Sequence, residues 1–219
     1  MSGYKVDFHL HSTHSHDGES SVVDYLRRAV RLGIRGLAFT EHANHNPLAP
    51  LRAYEEAILL IEKYRLPIKV FPGAEITLET DLMVRKNGRK KPRQIHALLL
   101  AEFDLLKKVL ETDDLDLEDP SLLSIIAHPG TTKFAPLFNS NSPFRGTEYS
   151  RFMGQPGSKA YQRIGLPIVS FSDAHRISRM GTYTVLRDLD LPIGQLLSLS
   201  NILGIKVTRG PNGYFDLSK

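Results

Sequence analysis

Apolar residues recur along the chain in two alternating patterns. Short runs rich in Val, Ile, Leu and Phe predict strands over residues 4–9, 37–40, 68–71, 123–127, 168–171 and 205–208. Between them, apolar residues at helical spacing predict helices over residues 21–33, 51–64, 103–110, 193–200 and part of 148–163. Strands that alternate with amphipathic helices are typical of an α/β fold.

Local signals sharpen this pattern in two places. Ser21 and Asp24 have the spacing of a capping box, and Gly33 is suited to end the first helix. Asn87-Gly88 separates two β-prone runs, which predicts a hairpin. The two runs are residues 76–83 and 94–100.

The composition fits a single domain over residues 1–219. Hydrophobic residues make up 41% of the chain and charged residues 24%, as in ordinary globular proteins. The chain lacks both a secretory signal and the roughly 18 uninterrupted apolar residues of a membrane span, so we expect a cytoplasmic protein with no membrane partner. The absence of cysteine excludes disulfides, thiolate zinc sites and cysteine nucleophiles, and favours a reducing compartment.

Histidines and carboxylates occur at the ends of the predicted strands. His9 and His11 come at the end of the first strand, and similar side chains follow the others: His42, Glu75, His128, Asp173 and His175. The carboxyl ends of parallel strands meet on one face, and residues two apart in extended chain point to the same side. Imidazoles and carboxylates together suit zinc, manganese or iron. The sequence therefore predicts a metal site at this face.

These residues lie in short segments whose sequences and order along the chain can be compared with family motifs. They are Asp7-Phe8-His9-Leu10-His11 with Asp17-Gly18, Thr40-Glu41-His42, Gly73-Ala74-Glu75, Ala127-His128-Pro129-Gly130 and Ser172-Asp173-Ala174-His175. Together they resemble the motifs of the PHP (polymerase and histidinol phosphatase) superfamily. The resemblance implies a distorted (β/α)7 TIM-like barrel that binds two or three divalent ions.

The resemblance also implies how the ligands are shared. The first ion would be held by His9, His11, Glu75 and Asp173. Glu75 would bridge to a second ion, completed by His96 and His128, and the third would be held by Asp17, His42 and His175. The position of His96 rests on the match of residues 95–99 to the family pattern.

Four further polar residues near the motifs have open roles. His14, His16 and His45 have no family position, and each is expected to be solvated or to lie behind a ligand. Glu41 either orients a neighbouring ligand or is an ordinary residue at a strand end.

The predicted chemistry is phosphoester hydrolysis. Three divalent ions and three carboxylates would leave the site near a net charge of about +3, which favours a phosphate dianion, and a metal-bound hydroxide would be the nucleophile. We therefore expect a hydrolase acting on a small phosphomonoester, which also suits the net charge of +4. No residue is assigned as general acid. Candidate phosphate contacts, each equally consistent with a surface charge, are Arg176, Arg179, Lys133 and Arg145. Lys133 lies in a long loop predicted over residues 129–143, and Arg145 lies just after it.

Other functions remain open at this stage. Six cations between Arg85 and Arg93 surround the predicted hairpin turn; they would bind a nucleic-acid backbone or simply protect the strand edges. This makes a nuclease that acts on oligonucleotide ends or nucleoside bisphosphates the alternative. A non-catalytic metal-binding domain and an amidohydrolase are further alternatives, which fit the motifs less well. The oligomeric state is left open.

Overall fold

The structure is a computed structural model. It describes residues 3–86, 89–112, 114–129, 143–149, 161, 165–206 and 214–216, with the backbone alone for residues 80–86, 89–93 and 214–216. The helices are α1 Val22–Leu32, α2 Ala49–Tyr64 and α3 Phe103–Thr112. The strands are β1 Tyr4–Leu10, β2 Ile34–Phe39, β3 Lys69–Val70, β4 Gly73–Lys86, β5 Arg89–Leu100, β6 Leu123–Ile126, β7 Gly146–Glu148, β8 Ile168–Val169, β9 Tyr183–Leu186, β10 Ile202–Lys206 and β11 Tyr214–Asp216.

Helix α1 begins and ends where its sequence signals lie. The backbone N–H of Asp24 donates to the Ser21 side chain, and Gly33 takes the left-handed conformation with a φ of 67°. Its buried face consists of Val22, Tyr25, Leu26 and Ala29. An N-cap of this kind contributes about 1 kcal/mol to helix stability.

The described strands form two mixed sheets. One has the order β11-β10-β9-β1-β2-β3 and the other the order β4-β5-β6-β7-β8. Two isolated parallel bridges, Leu10 with Ala174 and His42 with Glu75, connect the two sheets. The ends of strands that lie far apart in the sequence are therefore next to each other.

The core lies in layers between and outside these sheets. Val6 and Phe8 of β1 share a buried cluster with Leu98, Ile125 and Val169 of the second sheet. Helices α1 and α2 cover the other face of the first sheet. Among the described helices, none combines the length and the apolar content needed to cross a membrane.

Most of the predicted elements are confirmed, and the α/β class with them. The hairpin is present as β4 and β5, although Asn87 and Gly88 themselves lie outside the described residues. The described strands do not close into one barrel, so the (β/α)7 barrel remains a prediction. Strands β7, β9 and β11 were not predicted.

Two helix predictions differ from the structure. Residues 193–200 form only a 3-10 turn at Ile193–Gln195, because Gly194 packs against the Pro120 carbonyl and the Asn201 side chain donates to the Leu196 carbonyl at 2.8 Å. Glu148, expected to begin a helix, instead ends strand β7. Most of residues 149–163, where that helix was predicted, lies outside the described residues.

Candidate metal centre

The candidate site forms where the two sheets meet. The backbone N–H of His11 donates to the Ala174 carbonyl at 3.1 Å, which brings the end of β1 beside the Asp173 segment. The N–H of Glu75 donates to the Glu41 carbonyl at 3.1 Å, which brings β4 beside the end of β2. These main-chain contacts place side chains from both sheets around one point.

Glu75 is at the centre of the cluster. Its side chain is 1% exposed, and its two carboxylate oxygens face five imidazoles. The nitrogen–oxygen distances are 3.4 Å to His9, 3.2 Å to His11, 3.0 Å to His42, 2.8 Å to His96 and 3.2 Å to His128. One buried carboxylate thus contacts histidines from both sheets.

Two further carboxylates extend the cluster on the side of His175. Asp173 Oδ1 lies 3.4 Å from His9 Nε2 and 3.6 Å from His11 Nε2. Asp17 Oδ2 lies 3.2 Å from His42 Nε2 and 3.0 Å from His175 Nε2. All nine residues that the sequence nominated as ligands are therefore brought together.

Their ligand atoms fall into four overlapping groups, each within 4.8 Å. The groups are His9 with His11 and Glu75; Glu75 with His96 and His128; His9 with His128 and Asp173; and His11 with Asp17, His42 and His175. The expected second group is present as such. The expected first group is divided, because Asp173 forms a group with His9 and His128 and not with His11 and Glu75. His11 in addition joins the expected third group.

The cluster has a buried base and an open rim. The side chains of His9 and His11 are 0% exposed, whereas those of His128 and Asp173 are each 43% exposed. A cavity of about 220 Å³ adjoins the rim and is lined by Gln94, Ile95, His96, Ile126, Ala127, His128 and Pro129. A ligand therefore has access to the cluster from the side of His96 and His128.

The donor set fits divalent transition-metal ions. Among the described residues, neither buried ring nitrogen of His11 has a hydrogen-bond partner of good geometry, although Nε2 lies 3.2 Å from Glu75 and 3.6 Å from Asp173. A buried polar atom without a partner costs free energy, and a metal ion between the imidazole and the carboxylates would remove that cost. Mixed imidazole and carboxylate ligands suit zinc, manganese or iron.

Electrostatics favour a positive charge at the same point. Burial by itself would lower the pKa of His9, but Glu148, Asp173 and Glu75 raise it well above its ordinary value. Burial would likewise raise the pKa of Glu75, but His9 and the hydrogen-bonded imidazoles hold it well below its usual range. The carboxylates thus stay ionised and attract cations, either protons on the imidazoles or metal ions in their place.

Glu148 contacts two of the candidate ligands, although the sequence did not point to it. Its side chain is 5% exposed, with Oε1 2.9 Å from His9 Nδ1, and Oε2 accepts the His128 backbone N–H at 2.7 Å. His128 has a positive φ of 27°, which is costly for a residue with a side chain, so this bond helps to hold it. Glu148 is a carboxylate at the end of a strand, like several other residues of the site. It was not predicted because strand β7 was not recognised in the sequence.

Two other buried carboxylates brace the backbone of the site. Glu41 accepts hydrogen bonds from the Ser12 N–H at 2.9 Å and the Ser12 hydroxyl at 2.6 Å, next to His11. It is 0% exposed, so it orients the ligand segment and is not an ordinary residue at a strand end. Asp7 accepts the Ser172 N–H at 3.0 Å, and burial raises its pKa to about 7 against the lowering effect of the Ser172 hydrogen bonds.

The three extra histidines separate into two environments. His14 Nε2 lies 2.7 Å from Glu56 on helix α2, away from the cluster. His16 and His45 form a ring pair with centroids 4.0 Å apart, and the His16 ring is 5.3 Å from that of His42. His16 and His45 are exposed and lie beside His42, whereas His14 binds its loop to α2.

The structure does not bring the described candidate phosphate contacts to the centre. The Arg145 guanidinium donates to the Glu118 and Asp119 carbonyls at the opposite end of β7 from Glu148. Arg179 lines a separate cavity, described below, and Arg176 lies 3.8 Å from exposed Glu19. Lys133 and the side chains between Arg85 and Arg93 lie outside the described residues.

Comparison with known proteins bears on this site. Residues 7–114 match the family model of the PHP domain. The PHP resemblance is confirmed. The matched PHP region contains six of the nine candidate ligands; His128, Asp173 and His175 lie beyond it and rest on their motifs and on the geometry.

Individual PHP relatives match over part of their length. A probable histidinol-phosphatase of Thermotoga maritima is 36% identical over 74 residues, which are 33% of this chain and 30% of that protein. The match thus spans less than a third of the relative.

Two solved structures share the fold. A two-domain Bacteroides vulgatus protein described as containing a predicted PHP-like metal-dependent phosphoesterase is 16% identical, with a TM-score of 0.56, over 93% of this chain and 64% of that one. A Chromobacterium violaceum amidohydrolase with bound sulfate and no metal is 18% identical, with a TM-score of 0.55, over 86% and 92%. At these identities the likeness concerns the fold alone.

Proposed function

We propose that this protein is a metal-dependent phosphoesterase that hydrolyses a small phosphomonoester. The observation that carries the proposal is the Glu75 carboxylate, which is almost fully buried and faces five imidazoles at 2.8–3.4 Å. A buried carboxylate surrounded by histidines is suited to holding more than one divalent ion. Zinc, manganese or iron fit this donor set, with two or three ions.

Each group of residues has a defined part in this proposal. His9, His11 and Glu75 would hold an ion at the base, with Asp173 beside His9. His96 and His128 would complete a second site beside Glu75, and Asp17, His42 and His175 would complete a third. Ions bound in this way supply Lewis acidity, which activates water near neutral pH and stabilises negative charge on phosphate oxygens. Glu148 and Glu41 fix the orientation of the ligands and of the loop that carries them.

The size and lining of the cavity at the rim are consistent with a small substrate. The cavity of about 220 Å³ beside His96 and His128 is slightly below the range of about 300–1,000 Å³ typical of small-molecule sites. Ile95 and Ile126 line it together with the two histidines, so a phosphate could face the cluster while a small leaving group lies against apolar side chains. The nuclease alternative depends on cations whose side chains lie outside the described residues, and no described contact favours it.

The test compares metal-loaded protein on substrates of different size. Phosphate release from p-nitrophenyl phosphate and small sugar or amino-alcohol phosphates is measured with zinc, manganese or iron, alongside shortening of a 5′-phosphorylated oligonucleotide by mass spectrometry. We expect phosphate release from at least one small monoester and loss of that activity in Glu75→Gln. Glu79→Gln is the matched control, because Glu79 lies on the same strand but is exposed.

Other outcomes would change the proposal. Stepwise loss of nucleotides, with no activity on monoesters, would replace it with the nuclease. Hydrolysis of amides only, under the same metal conditions, would favour an amidohydrolase. Less than one bound ion per chain after reconstitution would remove its basis.

A further inference from the structure

A second charged cavity lies at the other end of β1. It has a volume of about 610 Å³ and is lined by Lys5, Arg28, Arg31, Leu32, Ser178, Arg179, Met180, Gly181, Tyr183 and Lys206. Five of these ten residues are cations, and no Asp or Glu is among them. None of the candidate metal ligands lines this cavity, so it is a separate feature of the molecule.

The cations come from distant parts of the chain. Lys5 is the second residue of β1, and Arg28 and Arg31 lie on helix α1. Arg179 ends the 3-10 turn Ile177–Arg179, and Lys206 ends β10. Like charges that converge from four elements repel one another unless something compensates them. Within the described part of the chain, none of the five makes an ion pair with a carboxylate.

The C-terminal end of helix α1 interacts with only some of these cations. Cations near a helix C-terminus are stabilising, and the Lys5 ammonium donates to the Leu32 carbonyl at 3.2 Å. The Gly33 N–H already caps the Ala29 and Val30 carbonyls. Among the described residues, Arg179 and Lys206 make no hydrogen bond with the end of α1, and the buried Nε of Arg28 has no hydrogen-bond partner. Donors therefore remain for a ligand.

The aromatic residue of the cavity restricts what that ligand can be. The Lys5 ammonium lies 5.1 Å and the Lys206 ammonium 5.5 Å from the centroid of the Tyr183 ring. Two cations already occupy this ring, so it is not free to stack on a base. The chemistry is that of a multiply charged oxyanion, which Arg and Lys bind through charge-assisted hydrogen bonds.

We propose that this cavity is an anion site that binds a ligand with two or more linked phosphate groups. The guanidinium groups of Arg28 and Arg179 and the ammonium of Lys206 hold the phosphate oxygens. A single phosphate would leave most of the five positive charges uncompensated, whereas a phosphate chain offsets them. The site is independent of the metal centre and does not rest on the proposed hydrolase activity.

The test is isothermal titration calorimetry of chelator-treated, metal-free protein with inorganic tripolyphosphate and, in parallel, with orthophosphate. We expect one tripolyphosphate site per chain, with an affinity at least about tenfold higher than that for orthophosphate. Repeating the titration with adenosine triphosphate separates the two sources of such a chain. Equal affinity assigns recognition to the phosphates, and tighter binding assigns part of it to a nucleoside.

Paired variants locate the site. Arg179→Ala with Lys206→Ala should weaken tripolyphosphate binding by at least about tenfold, because two charge-assisted contacts are lost. The matched control, Arg27→Ala with Arg52→Ala, removes the same net charge from exposed positions and should change the affinity by less than about twofold. Thermal unfolding of both double variants checks that they are folded.

Three results would overturn the proposal. They are absence of tripolyphosphate binding, equal affinities in the two double variants, and a loss of binding in Glu75→Gln that matches the loss in Arg179→Ala with Lys206→Ala. The last result would place the anion at the metal centre.

Discussion

The two ends of strand β1 collect charge in opposite ways. At its carboxyl end, His9 and His11 meet carboxylates of the second sheet and of the segment that follows it, and each imidazole lies within 4 Å of an acidic oxygen. At its amino end, Lys5 meets four other cations and no carboxylate among the described lining residues. The first end is buried and internally paired, whereas the second is partly exposed and carries one sign of charge.

The difference shows how the same strand can serve two kinds of ligand. Ionised carboxylates beside imidazoles attract divalent cations, because a histidine can lose its proton and bind a metal ion in its place. Among the described residues that line the cavity, Lys and Arg have no such partner, so the proposed anion would complete their contacts. Four predictions test this contrast, from the largest effect to the smallest.

Replacing the central carboxylate should have the largest effect. Glu75→Gln keeps the shape of the side chain but removes the charge that faces five imidazoles. Metal affinity should fall by more than the roughly 10–100-fold caused by loss of an outer hydrogen-bond partner. Metal content after dialysis and the rate of phosphate release measure this, with Glu79→Gln as the control. Retention of every bound ion in Glu75→Gln would contradict the assignment of Glu75 as the shared ligand.

Glu148 should act through His9 and His128 and not as a ligand. Glu148→Gln can keep one hydrogen bond but loses the charge 2.9 Å from His9 Nδ1, so metal affinity should fall by about 10–100-fold. Chelator competition measures the affinity, and Glu79→Gln again controls for loss of a carboxylate. An unchanged affinity would show that packing alone orients His9. Anion binding in the cavity should not change.

The pH dependence should differ between the two ends. The pKa values of His9, His11 and His128 are raised in the metal-free protein, where facing carboxylates overcome the lowering effect of burial. These imidazoles hold protons at pH values below their raised pKa, and metal must displace them. The apparent metal affinity should therefore rise with pH between about pH 6 and pH 8, by about tenfold per unit for each displaced proton.

Calorimetry in two buffers of different ionisation enthalpy counts the released protons directly. Tripolyphosphate binding to the cavity is followed over the same pH range, because none of the described lining residues is a histidine and only the protonation of the ligand changes there. A metal affinity that does not vary over this pH range would contradict the raised pKa values.

Salt should weaken anion binding more than metal binding, and this is the smallest of the four expected effects. Raising the ionic strength from about 0.05 M to 0.5 M shortens the Debye length from roughly 14 Å to 4 Å and should weaken anion binding at the partly exposed cations severalfold. Metal binding at the buried base, where His9 and His11 are 0% exposed, should be less sensitive. Titrations of both ligands at the two ionic strengths, in chloride-free buffer, make the comparison. Equal sensitivity would mean that the cavity is not governed by charge.

Much of the site could be predicted because its residues follow a local rule. The short apolar runs in the sequence located β1, β2 and β6. His9 and His11 are two residues apart in extended chain, so their side chains point to the same side whatever the tertiary structure. Glu148 escaped the same rule because strand β7 has only three residues, which is too short for a periodic signal. Arg145 and Arg179 were placed near the site by sequence distance, which says little about which end of an element a side chain occupies.

The sequence by itself determined the α/β class, most strand positions and seven of the nine candidate metal ligands, because strand periodicity and ligand chemistry are properties of short segments. The other two, Asp17 and His96, came from the resemblance to the PHP motifs. Only the tertiary structure decided that Glu75 faces five of those histidines, that Glu148 holds two of them, and that cations from positions 5 to 206 converge at the other end of β1. Such contacts depend on sheet order and on the bridges between the sheets. Those are set by the packing of the whole chain and not by any local pattern.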